Sequence, residues 1–252
     1  MEYDTESFFD SCVDKYCELA KVSKSSLKKA PTPFLDIEDS TEDIPEKDQG
    51  EQGSIACKVL MKILYGARMT RFDLLRPVNY LASRITKWSR NCDRLLHRLV
   101  SYINETAEYE LSGYIADDPT TLGVHVYSDA DFAGCKITMR STSGCFVALV
   151  GENSFMPLSA FSRKQTCVSH STPEAELVAA DAALRLEGIP TLNFWERIIG
   201  DKVKMLFLED NQAAIVIMKS GKNPNMQHMG RTHKVSTRWI HEVLTSDARV
   251  EL

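Results

Sequence analysis

The sequence predicts an α/β fold, an α+β mixed sheet over residues 119–252, behind a mainly helical segment. Two observations carry the prediction. From Leu122 onward, short apolar runs bounded by turn residues give the order βββ-α-β-α up to residue 220, the pattern of a sheet with helices packed on it. Before residue 106, apolar residues recur instead at helical spacing. The domain organisation read from this is 1–35 helical, 36–54 acidic linker, 55–118 helical and 119–252 α/β.

Taken in order, Phe8, Phe9, Cys12, Val13, Tyr16 and Leu19 predict a helix of about four turns within 7–29, broken by Ala30-Pro31-Thr32-Pro33. Residues 36–51 hold eight acids and one lysine, a net charge of −7. The whole chain carries −5, so the remainder is +2, and net charge does not argue against a polyanionic partner. Residues 55–68 and 73–105 are expected to be helical. In the second, Arg84, Lys87, Arg90, Arg94 and Arg98 are spaced 3, 3, 4 and 4, one stripe along a helix. It reads either as a solvated face or as a ridge tracking phosphates.

Residues 122–128, 144–151 and 154–162 form an expected antiparallel meander. Helices are expected over 172–188, with continuation through Thr191–Ile199, over Asn211–Ser220, stopped by Gly221, and over 231–245. Val203–Glu209 is the fourth strand, and Arg249–Leu252 starts another. No run of 18 apolar residues predicts a membrane span, and the acidic N-terminus is not a secretory signal. Seven scattered cysteines without a CxxC pair read as reduced intracellular thiols.

The chemistry concentrates in carboxylates. Val124–Gly134 reads as a strand ending in Asp129 and Asp131, which share a face two residues apart. With strands one and four adjacent, Asp129 and Asp210 lie side by side, and the helix from Thr172 brings Glu176 over them. Three converging carboxylates cannot all stay ionised without a cation. Oxygen ligands without Cys or His point to Mg²⁺ or Mn²⁺, a pair of which about 4 Å apart can hydrolyse a phosphodiester. Plainer readings stand beside this one. Ser171-Thr172-Pro173-Glu174 fits a capping box, and Glu174 lies about 200° around the helix from Glu176. Asp131 serves as a turn cap and Asp210 as a helix N-cap. His170, His228 and His233 are surface residues or ligands, and Arg140-Ser141-Thr142-Ser143-Gly144 is a hairpin turn or a phosphate grip.

Tyr127-Ser128-Asp129-Ala130-Asp131-Phe132-Ala133-Gly134, Arg140–Gly144, Ser169–Glu176, Asp210-Asn211-Gln212-Ala213-Ala214 and Arg231-Thr232-His233-Lys234 occur in one order. Together they resemble the ribonuclease H domain of copia-type (Pseudoviridae) retrotransposon Pol polyproteins. Upstream, Val13-Asp14-Lys15-Tyr16 and Ala30–Leu35 resemble the tail of the reverse transcriptase, and Leu64–Leu74 the connection segment. No Tyr-x-Asp-Asp motif occurs, so polymerase activity is not expected.

The resemblance implies a ribonuclease H-like fold cutting the RNA strand of an RNA–DNA hybrid with two metal ions, Mg²⁺ or Mn²⁺, on Asp129, Glu176 and Asp210. Beside it, the nucleic-acid contacts expected are Arg84, Lys87, Arg90, Arg94 and Arg98 on the helical stripe, with Arg140, Ser141, Thr142, Asn211 and Gln212. The other implied partner is the reverse transcriptase part of the same polyprotein, in the cytoplasm, the nucleus or the element's virus-like particle. The family's fourth Asp lies in a Leu-Ala-Asp stretch, past Leu252 here. Ser236 stands where the family has an acid, Phe132 where Trp is usual, His170 where an apolar residue is usual, and Met139-Arg140 where two bases are. These departures imply weakened metal binding and low activity. The alternative they leave is a catalytically inactive nucleic-acid-binding remnant.

Overall fold

The structure is a computed structural model and describes residues 1–35 and 48–252. The expected linker therefore lies outside the described residues over 36–47. Contacts divide the chain into two units, Glu2–Leu111 and Ser112–Leu252 with Met1.

The first unit opens with a short strand, β1 (Glu2–Tyr3), and helix α1 (Glu6–Ala20). Phe9, Cys12, Val13 and Tyr16 of α1 are buried, the i, i+3, i+4, i+7 stripe of an amphipathic helix. The helix ends earlier than Ala30-Pro31, because Lys21 takes a left-handed conformation and its N–H caps Cys17 O. Helices α2 (Gly53–Met69), α3 (Leu75–Ala82) and α4 (Arg90–Glu105) follow.

Two expectations for this unit are corrected. Residues 48–54 are not linker: Gln49 bridges Ser89, and the N–H groups of Glu51 and Gln52 donate to Asp93 at 2.7 and 3.0 Å. The basic stripe is not one stripe either. The helix expected over 73–105 breaks at 83–89, where Ser89 starts α4 by accepting from Cys92 N. Arg84 is buried there with its guanidinium 5.1 Å from the Tyr80 ring centroid. Arg90 and Arg94 are exposed on α4, and Arg98 donates to Thr32 Oγ1 at 2.9 Å.

After β2 (Leu111–Ser112), the second unit builds on β3 (Gly123–Asp131), β4 (Thr142–Gly151) and β5 (Ser154–Lys164), an antiparallel meander as expected. Helix α5 (Thr172–Ala183) follows, started by Ser171 and by Pro173 in its first turn. It widens into a π-turn over Leu184–Gly188 and continues as α6 (Ile189–Ile199). Pro190 lacks the N–H that a regular turn would use there.

Strand β6 (Lys204–Leu208) runs parallel to β3, with Tyr127 opposite Leu208. Then come α7 (Gln212–Ser220), a single turn α8 (Met229–Thr232), α9 (Thr237–Ser246) and β7 (Val250–Glu251). The last helix starts later than expected because Lys234 has φ 60° and Ser236 caps the new start through Trp239 N. The mixed sheet has the order β5-β4-β3-β6-β7. Val124, Val126, Val147, Leu149, Met205 and Phe207 form one buried face with Leu177, Ala180 and Ala183 of α5. Burying these side chains is the main stabilising term of the unit.

Candidate metal centre

The neighbouring parallel strand β6 stops at Leu208, opposite Tyr127, while β3 runs on to Asp131. The alternation of β3 buries Val124, Val126, Ser128 and Ala130 and leaves Tyr127, Asp129 and Asp131 exposed. Asp210 follows β6 by two residues and does not cap α7. Asn211 does, its Oδ1 accepting from Ala214 N at 3.0 Å, so the Asp210 carboxylate is not committed to the cap. Helix α5 crosses the strands through close contact of Ala175 and Ala179 with Ala130. Small residues there bring the helix near the strand end and place Glu176 above it.

The result is that Asp129, Glu176 and Asp210 each present an oxygen within 4.8 Å of the others. Asp129 and Asp210 are exposed, whereas Glu176 is 4% exposed. Burial first, then the charges of Asp129 and Asp210, push the Glu176 carboxyl up to about 7, against a hydrogen bond from the Ala130 N–H. Its Oε2 is buried and without a hydrogen-bond partner. An all-oxygen set with a buried, unsatisfied carboxylate oxygen suits a hard divalent cation.

Two features beside the triad were missed in the sequence. Glu209 is partly buried, and burial followed by the charge of Glu176 raises its carboxyl to about 8. The only signal was its place on the buried parity of β6. Glu174 is 1% exposed and does more than cap. Ser171 Oγ accepts from Glu174 N at 3.4 Å, but the Glu174 carboxylate takes the His170 N–H at 3.1 Å. It also accepts from Nε2 of His228 and His233, at 3.1 and 2.9 Å. The run Thr172–Glu176 gave no signal of these distant partners.

The remaining candidates are dispersed. Ser141 is fully buried, its Oγ accepting from Ala133 N at 3.1 Å to close the loop after β3, and Thr142 is 9% exposed. They are not the surface positions that a phosphate grip requires. Arg140, Gln212, Lys87, Arg90 and Arg94 are exposed. Asp131 is exposed too, with its carboxylate over Gly134, where a Cβ would collide with it.

This chain is related to retrotransposon Pol polyproteins, as the motifs indicated. It is 31% identical over 148 residues to the Retrovirus-related Pol polyprotein from transposon RE1 of Arabidopsis thaliana, covering 58% of this chain and 9% of that protein. The RE2 polyprotein of the same plant is 34% identical over 107 residues, 42% of this chain and 7% of the relative. An uncharacterized mitochondrial protein, AtMg00810 of Arabidopsis thaliana, is 33% identical over 108 residues, 43% of this chain and 42% of its own length. The chain thus spans less than a tenth of either polyprotein and under half of the mitochondrial protein. These similarities agree with the copia-type Pol resemblance of the motifs. No protein-family model matches the chain. Among the described residues no helix is long and apolar enough to cross a membrane.

Proposed function

We propose that the chain is a retrotransposon-derived ribonuclease H that hydrolyses the RNA strand of RNA–DNA hybrids with Mg²⁺ or Mn²⁺. The observation that carries this reading is the convergence of Asp129, Glu176 and Asp210 within 4.8 Å, from the turn-ward part of β3, the residues just past its parallel neighbour β6, and a crossing helix. The β5-β4-β3-β6-β7 sheet with α5 packed on it is the expected setting of a ribonuclease H-like domain. Asp129, Glu176 and Asp210 would hold the divalent cations, which would supply an activated water and charge neutralisation at a phosphodiester.

The protein's own groups have separable roles. Asp129 and Asp210 face solvent, where a backbone phosphate can approach. Glu176 is fixed from behind by the Ala130 N–H and the alanine contact of α5. On the unit that carries the carboxylates, exposed Arg140 supplies a phosphate contact, and 2′-OH contacts would tell RNA from DNA. A reverse transcriptase segment of the same polyprotein is the proposed partner.

The test is cleavage of a labelled RNA–DNA hybrid in Mg²⁺ and in Mn²⁺, with Asp210→Asn as control. Cutting by the unmutated chain, at least 100-fold faster than by the variant, supports the reading. Salt-sensitive hybrid binding without cutting makes the chain a binding module instead.

A further inference from the structure

Side chains alternate along β6, and Met205 and Phe207 are buried in the core under α5. Glu209 continues that parity just past the strand, so it is directed to the helix-covered side on which α5 carries Glu176. Continuing the parallel register beyond Tyr127 and Leu208 by one residue sets Ser128 beside Glu209. One further step sets Asp129 beside Asp210. Asp129 and Asp210 therefore form the open side of the cluster, and Ser128 and Glu209 lie behind them.

The hydrogen bonds behind the cluster are incomplete. Glu209 Oε1 accepts from Asn211 N at 3.2 Å, but its Oε2 is buried and without a partner. Glu176 Oε2 and Ser128 Oγ are also buried and without partners, with Glu176 4% and Ser128 7% exposed. Three unsatisfied oxygens at adjoining positions are costly, because each loses its water without gaining a donor. Two of the three are carboxylate oxygens that cannot donate to one another when ionised.

We propose that Glu209 is a further carboxylate of the cation site, holding a divalent metal ion or its bound water from the helix-covered side, with the Ser128 hydroxyl beside it. This deepens the metal reading above and rests on it. The strand-end site then has four carboxylates, from Asp129, Glu176, Glu209 and Asp210. The class of ligand is a hard divalent cation, since every donor is oxygen.

The experiment is a Mn²⁺ titration of the full chain by calorimetry, with free Mn²⁺ followed by electron paramagnetic resonance and no nucleic acid present. Glu209→Gln should weaken Mn²⁺ binding tenfold or more while the variant still melts cooperatively in chelator. Glu209→Asp keeps the charge but withdraws the oxygen, and should weaken binding likewise. Ser128→Ala should have a smaller effect in the same direction. Wild-type affinity and stoichiometry in both Glu209 variants, with binding lost in Asp210→Asn, would overturn the role of Glu209 and leave the triad standing. No Mn²⁺ binding by the unmutated chain would overturn both.

Discussion

Nε2 of His233 lies 2.9 Å from Oε1 of Glu174, and both side chains are almost completely buried. This bond ties the turn after α8 to the first turn of the helix that carries Glu176. Burial by itself would raise the Glu174 carboxyl. The His170 N–H, the bonds from His228 and His233 and the charge of His228 outweigh it and hold the carboxyl below the usual range. A depressed carboxylate stabilises the fold above its unfolded value, and this contribution is lost as pH falls through the folded value. His233→Ala leaves a buried carboxylate short of a donor, and should cost about 2–4 kcal/mol at neutral pH. Urea unfolding followed by circular dichroism measures it, and the loss should shrink as pH falls through the folded value and Glu174 becomes neutral.

Glu176 and Glu209 have the opposite sign. Their folded values, about 7 and about 8, lie above the unperturbed 4.5, so the folded chain binds more protons than the unfolded one between those limits. Stability of the metal-free chain should therefore fall as pH rises from about 4.5 to 8. The Glu176 part is of order 1–3 kcal/mol, since each tenfold change in proton affinity is worth about 1.4 kcal/mol. Melting in chelator at pH 6 and pH 8 tests this, and Glu176→Gln should remove part of the difference. Excess Mg²⁺ should restore most of the stability at pH 8, because it binds the deprotonated carboxylates of the native state. An unchanged melting temperature across that range would contradict the buried, coupled placement of both groups.

In the first unit, Asp93 performs three tasks at once. It accepts from Trp88 Nε1 at 2.6 Å and from the N–H groups of Gln52 and Glu51 at 3.0 and 2.7 Å. Those N–H groups lie just before α2, where a helix start offers no intrahelical acceptor. Asp93→Ala should cost about 2–4 kcal/mol, since hydrogen bonds to a charged acceptor contribute about 1.5–3 kcal/mol each and are not additive. Hydrogen exchange should show faster exchange at Glu51 and Gln52, while Asp129 and Asp210 on the other unit remain competent for metal.

The parts legible in the sequence were those governed by local rules. Alternation in Val124–Asp131 and the apolar run before Asp210 were enough to pair two strand ends, and Glu176 followed from the helix start at Ser171. What escaped depended on distant neighbours. Arg84 carries the spacing of a surface stripe, yet the Ser89 cap divides the helix and folds Arg84 against Tyr80. Ser141 has the residue type of a phosphate contact, but its hydroxyl is taken by the Ala133 N–H. Glu174 fits a capping box, and nothing local reveals that His228 and His233 arrive more than fifty residues later. Glu209 had only the buried parity of β6 as a local signal, and its partial burial beside Glu176 depends on residues distant in sequence.

Two glycines with positive φ separate backbone strain from packing. Gly200 ends α6 at φ 76° and a Cβ there would meet nothing within 4 Å, whereas Gly221 ends α7 at φ 68° and a Cβ would lie 2.8 Å from His241 Cγ. The His241 ring has little freedom to yield, since its Nδ1 donates to Met218 O at 3.1 Å. Both alanine variants incur the left-handed penalty of about 1–2 kcal/mol. Gly221→Ala should incur in addition the cost of displacing His241 and its hydrogen bond, for a total of about 2–4 kcal/mol. Urea midpoints of the two variants in one buffer decide it. Equal losses would mean that His241 moves freely and that α7 and α9 are held by apolar contact alone. A larger loss at Gly221, relieved when His241→Ala is added, would show that the ring is a fixed spacer between the two helices.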